Sequence, residues 1–132
     1  MAKYIYPAVF TPEEKGMYSV CFPDLEGCYT CGEDLTEAIY MAEDALALMM
    51  YDYEMDNKPI PDPSPRECFD LKDGEFINMV ICDTIGYQKR NNNKAVKKTL
   101  SIPEWLNEVA IANNANFSQI LQEALMKKYN VG

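Results

Sequence analysis

The chain contains no histidine. That removes the commonest general base, the commonest neutral metal ligand and every Ser-His or Cys-His catalytic arrangement. It has no apolar run near the ~20 residues that span a bilayer. Its opening residues, Met1-Ala2-Lys3-Tyr4, lack an apolar signal core with a small-residue cleavage site, so a cytoplasmic, non-membrane protein is expected. Cations are scarce in the first two thirds. Residues 1 to 83 hold 18 Asp/Glu against 5 Lys/Arg, whereas residues 84 to 132 hold 3 against 7; the whole carries −9. Such asymmetry is a partner signal. The acidic part suits a basic partner or serves solubility alone. The tail's sign permits nucleic-acid binding in that one place.

Cysteine is sparse and odd in number: Cys21, Cys28, Cys31, Cys68 and Cys82. An odd count in a cytosolic setting argues against a disulfide framework. Cys28-Tyr-Thr-Cys31 is a CxxC, but it lies in a short strand before a helix start, where a redox motif would open a helix. A zinc site wants a second pair, and Cys68 and Cys82 are far apart. Four or all five of the thiols therefore read as small, partly buried apolar side chains. No metal and no cofactor is expected.

Turning to what is present, "KYIYPAVFTP" (3 to 12) is β-rich and aromatic, and Pro7 suggests an edge strand or a bulge. After the polar turn Glu13 to Gly16, Tyr18, Val20 and Phe22 alternate with Met17, Ser19 and Cys21, completing a hairpin. "EGCYTCG" supplies a third short strand. Asp34 or Thr36 then caps a helix through residue 55. Its apolar face is Leu35, Ala38, Ile39, Ala42, Ala45, Leu46 and Met49. Residues 56 to 67 hold four prolines and read as a stiff loop. "GEFINMVICD" (74 to 83) is apolar on both faces and is expected to be a central strand. Residues 1 to 83 thus form a β-β-β-α-β domain, an antiparallel sheet with one packed helix. Residues 84 to 95, polar and without hydrophobic period, read as a linker.

Residues 96 to 132 hold a strand and two helices, too little to bury a sound core alone. Such a segment must fold on a partner, and the simplest is a second copy. In Val96 to Ile102, Val96, Leu100 and Ile102 share one face, and Lys97, Thr99 and Ser101 the other. Lys98 falls on the apolar parity but can snorkel outwards. Pro103 suits a helix's first turn, with Trp105, Leu106, Val109 and Ala110 following. "NNAN" breaks that helix. Asn116 caps the next, with Gln119 placed as in a capping box. Phe117, Ile120, Leu121, Ala124 and Leu125 form its apolar face. Paired with its copy, the strand makes a two-stranded ribbon that fits the major groove, with short donors reaching base edges. The second helix's free N–H groups, beside Ser118, can hold a phosphate. The same pattern also fits a helical hairpin packed on the first domain, with Lys97 merely solvated.

"VKKTLSIPEWLNEVAIANNANFSQILQEAL" resembles a ribbon-helix-helix (Arc/MetJ-like) domain over its whole length. "YPAVFTPEEKGMYSVCFPDLEGCYTCGEDLTEA" and the later "KPIPDPS" resemble the HicB family of antitoxins. The resemblance implies an α+β protein: a partial ribonuclease-H-like domain over 1–83, a linker over 84–95 and a ribbon-helix-helix domain over 96–132. It implies a non-enzymatic antitoxin of a type II system, which neutralises a HicA-type mRNA-cleaving toxin and represses its own operon. Lys97, Thr99 and Ser101 take the base-reading positions, and Lys98, Asn116 and Ser118 the phosphate-facing ones. Leu100, Ile102, Trp105, Leu106, Ile120 and Leu121 fall in the dimer core. A homodimer is implied, with further pairing into tetramers open. Asp24, Glu26, Glu33 and Asp34 flank the third strand and the helix start. They are the candidate contacts to a cationic toxin, since opposite potentials speed encounter. The pattern departs from the family at the two cysteines of the CxxC and at "NNAN", where a glycine is common; Asn tolerates the left-handed conformation there.

Two other classes compete. A surviving metal-dependent nuclease needs several convergent carboxylates, but the first strand has none and Asp83 has no evident mate. A ribbon-helix-helix regulator that senses a small ligand, without a toxin, would show ligand-linked operator affinity.

Overall fold

The computed structural model describes residues 3–65 and 68–132. Contacts divide the chain into two compact units, Met1–Asn93 and Lys94–Gly132. The described residues form a mixed α/β protein with a four-stranded antiparallel sheet and four α-helices, and the sheet lies in the first unit.

Four strands, β1 (Lys3–Pro12), β2 (Tyr18–Cys21), β3 (Tyr29–Gly32) and β4 (Phe76–Asp83), stand in the order β3-β2-β1-β4. The β1–β2 join is one tight turn, Glu14–Gly16, with Lys15 and Gly16 at positive φ. The expectation that Pro7 marks an edge strand or a bulge is corrected: β1 is central, pairs with both β2 and β4, and keeps an unbroken register with β4 through Pro7. Pro7 lies beyond the stretch of β1 that β2 pairs, Val9 to Pro12, so on that side it has no ladder to interrupt. The expected central position of β4 is likewise corrected to an edge. Its two apolar faces have different uses, for Val80 and Cys82 are buried while Met79 and Ile81 are exposed. Continuous apolarity marks the buried strands of parallel sheets; here it reflects an exposed apolar edge.

Helix α1 (Leu35–Met55) covers one face of the sheet. Asp34 caps it, accepting from the Glu37 N–H at 2.8 Å. Its buried residues are Ala38, Ala42, Leu46, Ala47 and Met50. Leu35, expected in that face, is exposed, and Ile39, Ala45 and Met49 are partly buried. The stripe drifts because 3.6 residues per turn does not return to one azimuth every fourth position. The alanines bring helix and sheet close together. A Cβ placed on Gly32 would meet the Ala38 nitrogen and lie 2.6 Å from Ala38 Cα. Opposite, Tyr6, Phe10, Val20, Phe22 and Leu25 complete the core. Phe10 stacks on Phe76 with ring centroids 5.2 Å apart.

The proline-rich loop is pinned rather than free. Tyr6 Oη donates to the Pro61 carbonyl, and Asp24 accepts from Ser64 through its N–H (2.9 Å) and its hydroxyl. The loop's last two expected positions, Arg66 and Glu67, lie outside the described residues.

Residues 84 to 91, expected as irregular linker, instead form α2 (Thr84–Asn91). Asp83 caps it, accepting from the Ile85 N–H at 3.0 Å. Tyr87 rests against Tyr51 of α1, ring centroids 5.6 Å apart. Fully buried Thr84 donates to Glu54 (3.2 Å), which also accepts from Tyr4 Oη (2.8 Å). The helix escaped the periodicity test because its packing rests on few residues. The first unit therefore extends to Asn93.

The second unit holds α3 (Glu104–Ala112) and α4 (Phe117–Tyr129). Pro103 occupies the position before the first turn of α3. Asn114 takes the left-handed conformation, φ +56°. Its N–H donates to Ile111 and that of Ala115 to Ala110, a Schellman ending. Asn116 caps α4 by accepting from the Gln119 N–H at 3.1 Å. The Gln119 side chain does not complete a capping box; it donates forward to Glu123 at 3.1 Å. Residues 96 to 102, expected as a strand, pair with nothing among the described residues. A strand needs a neighbour to satisfy its backbone, and one copy of this unit offers none.

Candidate functional site

The second unit buries no side chain of its own helices. Val96, Leu100, Ile102, Trp105, Leu106 and Ile120 are all exposed, Trp105 to 67%. Leu121 alone of the candidate dimer-core residues is half-buried. Soluble chains seldom expose so much contiguous apolar surface without a partner for it. Lys97, Lys98, Thr99 and Ser101 are exposed in the unpaired stretch. Asn116 and Ser118, at the start of α4, border a recess of about 400 Å³ shared with Gln119, Gln122, Glu123 and Met126. The Asn116 amide oxygen is occupied by the cap, which leaves its amide N–H₂ as the donor.

In the first unit the four acidic candidates divide. Asp24 holds the proline-rich loop through Ser64, and Asp34 caps α1. Glu26 and Glu33 are exposed. Asp83, the carboxylate raised for a nuclease, holds the start of α2. Among the described residues no group of three or more Cys, Asp or Glu is arranged to hold a metal ion. The cysteines are free thiols, with Cys28 and Cys82 buried and Cys21, Cys31 and Cys68 exposed. The expectation of four or five partly buried thiols thus fails, for strand alternation or a loop turns the sulfurs of Cys21, Cys31 and Cys68 outwards. Burial, then neighbouring thiols, pushes Cys28 up to about 11. Burial also pushes Cys82 up to about 11. Burial and the Glu54 carboxylate push Tyr4 up to about 12, so it stays a hydrogen-bond donor.

A third surface was not anticipated. The outward side of α1 carries exposed Tyr40, Met41, Leu48 and Met55 beside Glu37, Asp44 and Asp52. It borders a groove of about 490 Å³, walled by Tyr40, Glu43 and Asp44 on α1, Ile81 and Asp83 on β4, and Arg90 on α2, with Lys3 at its margin. Burial and then the charges of Asp44 and Asp52 raise the Tyr87 hydroxyl. The signal was in the sequence as large apolar residues at helical spacing off the core face. Charge alone had drawn attention to the β3 flank.

Among the described residues no helix is long and apolar enough to cross a membrane. A family model for a HicB-like antitoxin of bacterial toxin–antitoxin systems matches residues 6–125. The chain belongs to that antitoxin family, which is not an enzyme class. Antitoxin HicB of Escherichia coli K12 is 42% identical over 65 residues, covering 49% of this chain and 47% of that protein. The chain thus spans about half the length of the curated relatives it first matches. Antitoxin HicB 2 of Photorhabdus laumondii is 28% identical over 122 residues, 91% of this chain and 87% of that one. Among solved structures, a chain of a toxin–antitoxin complex from Streptococcus pneumoniae is 30% identical with a TM-score of 0.59, covering 96% of this chain and 99% of that one.

Proposed function

We propose that the protein is the antitoxin of a type II pair. Its first unit binds and blocks a small HicA-type, mRNA-cleaving toxin. Its second unit dimerises as a ribbon-helix-helix domain that represses the operon. The family match over residues 6–125 supports the first part, as does the similar Streptococcus pneumoniae chain, which was solved in a toxin–antitoxin complex. The β-β-β-α-β order supports reading the first unit as a truncated ribonuclease-H-like fold.

The observation that carries the second part is the uncovered tail. It has an alternating stretch, 96 to 102, that pairs with nothing among the described residues, and two helices with no buried side chain. A second copy satisfies both at once. The two strands pair, Leu100, Ile102, Trp105, Leu106, Ile120 and Leu121 are buried, and the ribbon's outer face presents Lys97, Thr99 and Ser101 to base edges. Lys98, Ser118 and the free N–H groups of α4 then hold phosphates.

The test is light scattering and gel shift with DNA from upstream of the gene. The full chain is expected to be a dimer, or a dimer of dimers, that shifts this DNA. A chain ended at Asn93 is expected to be monomeric in the tail's absence and not to shift it. Lys97→Ala and Thr99→Ala are expected to lower specific affinity by ~1–3 kcal/mol each, without loss of toxin binding. Unchanged operator affinity in both variants removes the ribbon assignment.

A further inference from the structure

We propose that the toxin docks on the outward side of α1, where carboxylates interleaved with tyrosine, methionine and leucine take up the cations the toxin uses for RNA. This rests on the toxin-binding reading above and names the surface that performs it.

Glu37, Tyr40, Asp44, Leu48, Asp52 and Met55 follow one another at three- and four-residue steps, so they share one side of the helix. Met41 lies within the same stripe. The side of a surface helix opposite its core is ordinarily polar. Here Tyr40 is 67% and Met55 63% exposed, with Met41 and Leu48 also open. Single exposed apolar residues need no explanation, but four in one stripe make a patch rimmed by charge. Tyrosine and methionine are the residue types enriched where protein surfaces meet, and methionine adapts its shape to a partner.

The charge identifies the occupant. Helix α1 exposes four carboxylates, Glu37, Glu43, Asp44 and Asp52, and has no lysine or arginine; its fifth, Glu54, is held by Tyr4 and Thr84. Asp52 stands in the last turn, where a negative charge opposes the helix dipole. Departures from a local rule concentrate at functional sites. Among the described residues the ion pair formed is Lys58 with Asp56, beyond the helix end. An RNA-cleaving protein must hold a polyanion and so presents cations. A surface of spaced carboxylates occupies those cations in place of phosphates, and the apolar side chains between them exclude water. The groove between Tyr40, Asp44 and Ile81 receives a protruding side chain of the partner. The β3 flank is less suited, because Asp24 and Asp34 are already committed to Ser64 and to the helix cap.

The experiment is titration calorimetry of the full-length protein with its cognate toxin, inactivated at its catalytic residue. Tyr40→Ala is expected to weaken binding by roughly thirtyfold or more, as for a central aromatic anchor. Asp44→Lys with Asp52→Lys is expected to weaken it further and to slow association, the loss shrinking as salt is added. Glu14→Lys, on the β1–β2 turn, is expected to stay within about twofold of the parent. All four positions are exposed, and lysine at position 52 favours the helix dipole, so the variants fold. If the parent binds and both α1 variants bind equally well, the docking face is wrong while the antitoxin reading stands. If the parent does not bind, the antitoxin reading itself falls.

Discussion

Gly32→Ala should damage the first unit far more than a single methyl group suggests. The backbone at Gly32 is not at positive φ, so the effect is one of space rather than conformation. The new Cβ would meet backbone: the Ala38 nitrogen, Ala38 Cα at 2.6 Å and Glu37 carbonyl carbon at 2.8 Å. Backbone cannot rotate away as a side-chain tip does, so β3 and the first turn of α1 must separate. Overpacking of this kind costs ~1–3 kcal/mol. The shift also strains the Asp34 cap, whose loss costs ~1 kcal/mol. A total of about 2–4 kcal/mol is a large share of a marginally stable domain and lowers its melting temperature by roughly 10 °C or more. Urea unfolding followed by far-UV circular dichroism measures it. The only tryptophan, Trp105, lies in the second unit, so its emission reports that unit separately. Gly86→Ala is the control. Its Cβ would lie 3.3 Å from Asp83 Oδ2 and 3.4 Å from Arg90 Nη1, both side-chain ends that can yield. In a helix that change should be neutral or stabilise by up to ~1 kcal/mol. An unchanged midpoint for Gly32→Ala would refute the close approach of β3 to α1.

Two further outcomes are expected. With thiols pushed up to about 11 by burial, Cys28 and Cys82 stay protonated at pH 8 in the folded protein. They should resist alkylation until the protein unfolds, while exposed Cys31 and Cys68 react at once; mass spectrometry after brief iodoacetamide treatment tests this, and early labelling of Cys28 contradicts it. Operator affinity should fall steeply with salt. Lys98→Ala should reduce the slope of log K against log salt by roughly two per dimer, because each copy loses one phosphate contact; an unchanged slope removes Lys98 from the interface.

The sequence carried the order of elements well, because each boundary is marked by a residue with a physical reason to be there. Asp34 and Asn116 each cap a helix, and Asn114 adopts the left-handed turn that "NNAN" requires. Position within the sheet was less legible. Pro7 spoke for an edge, yet β1 is central, and only the length of β2 decides which side of β1 is free. Helix α2 was hidden because its apolar spacing is irregular, although Asp83 ahead of Thr84 is a cap signal. Among site residues, the ribbon candidates and every dimer-core candidate but half-buried Leu121 are exposed in one copy. A list of acids could not reveal that Asp24 and Asp34 have internal tasks, since those depend on Ser64, forty residues on, and on the helix start.

The uncovered tail also has a consequence for dosage. In the proposed assembly one DNA reader consumes two chains, so at low abundance readers increase as the square of chain number. Toxin capture through α1, as proposed, would need only one chain. A falling antitoxin level would therefore release the promoter before it releases the toxin, and new antitoxin would be made while the old still holds its target.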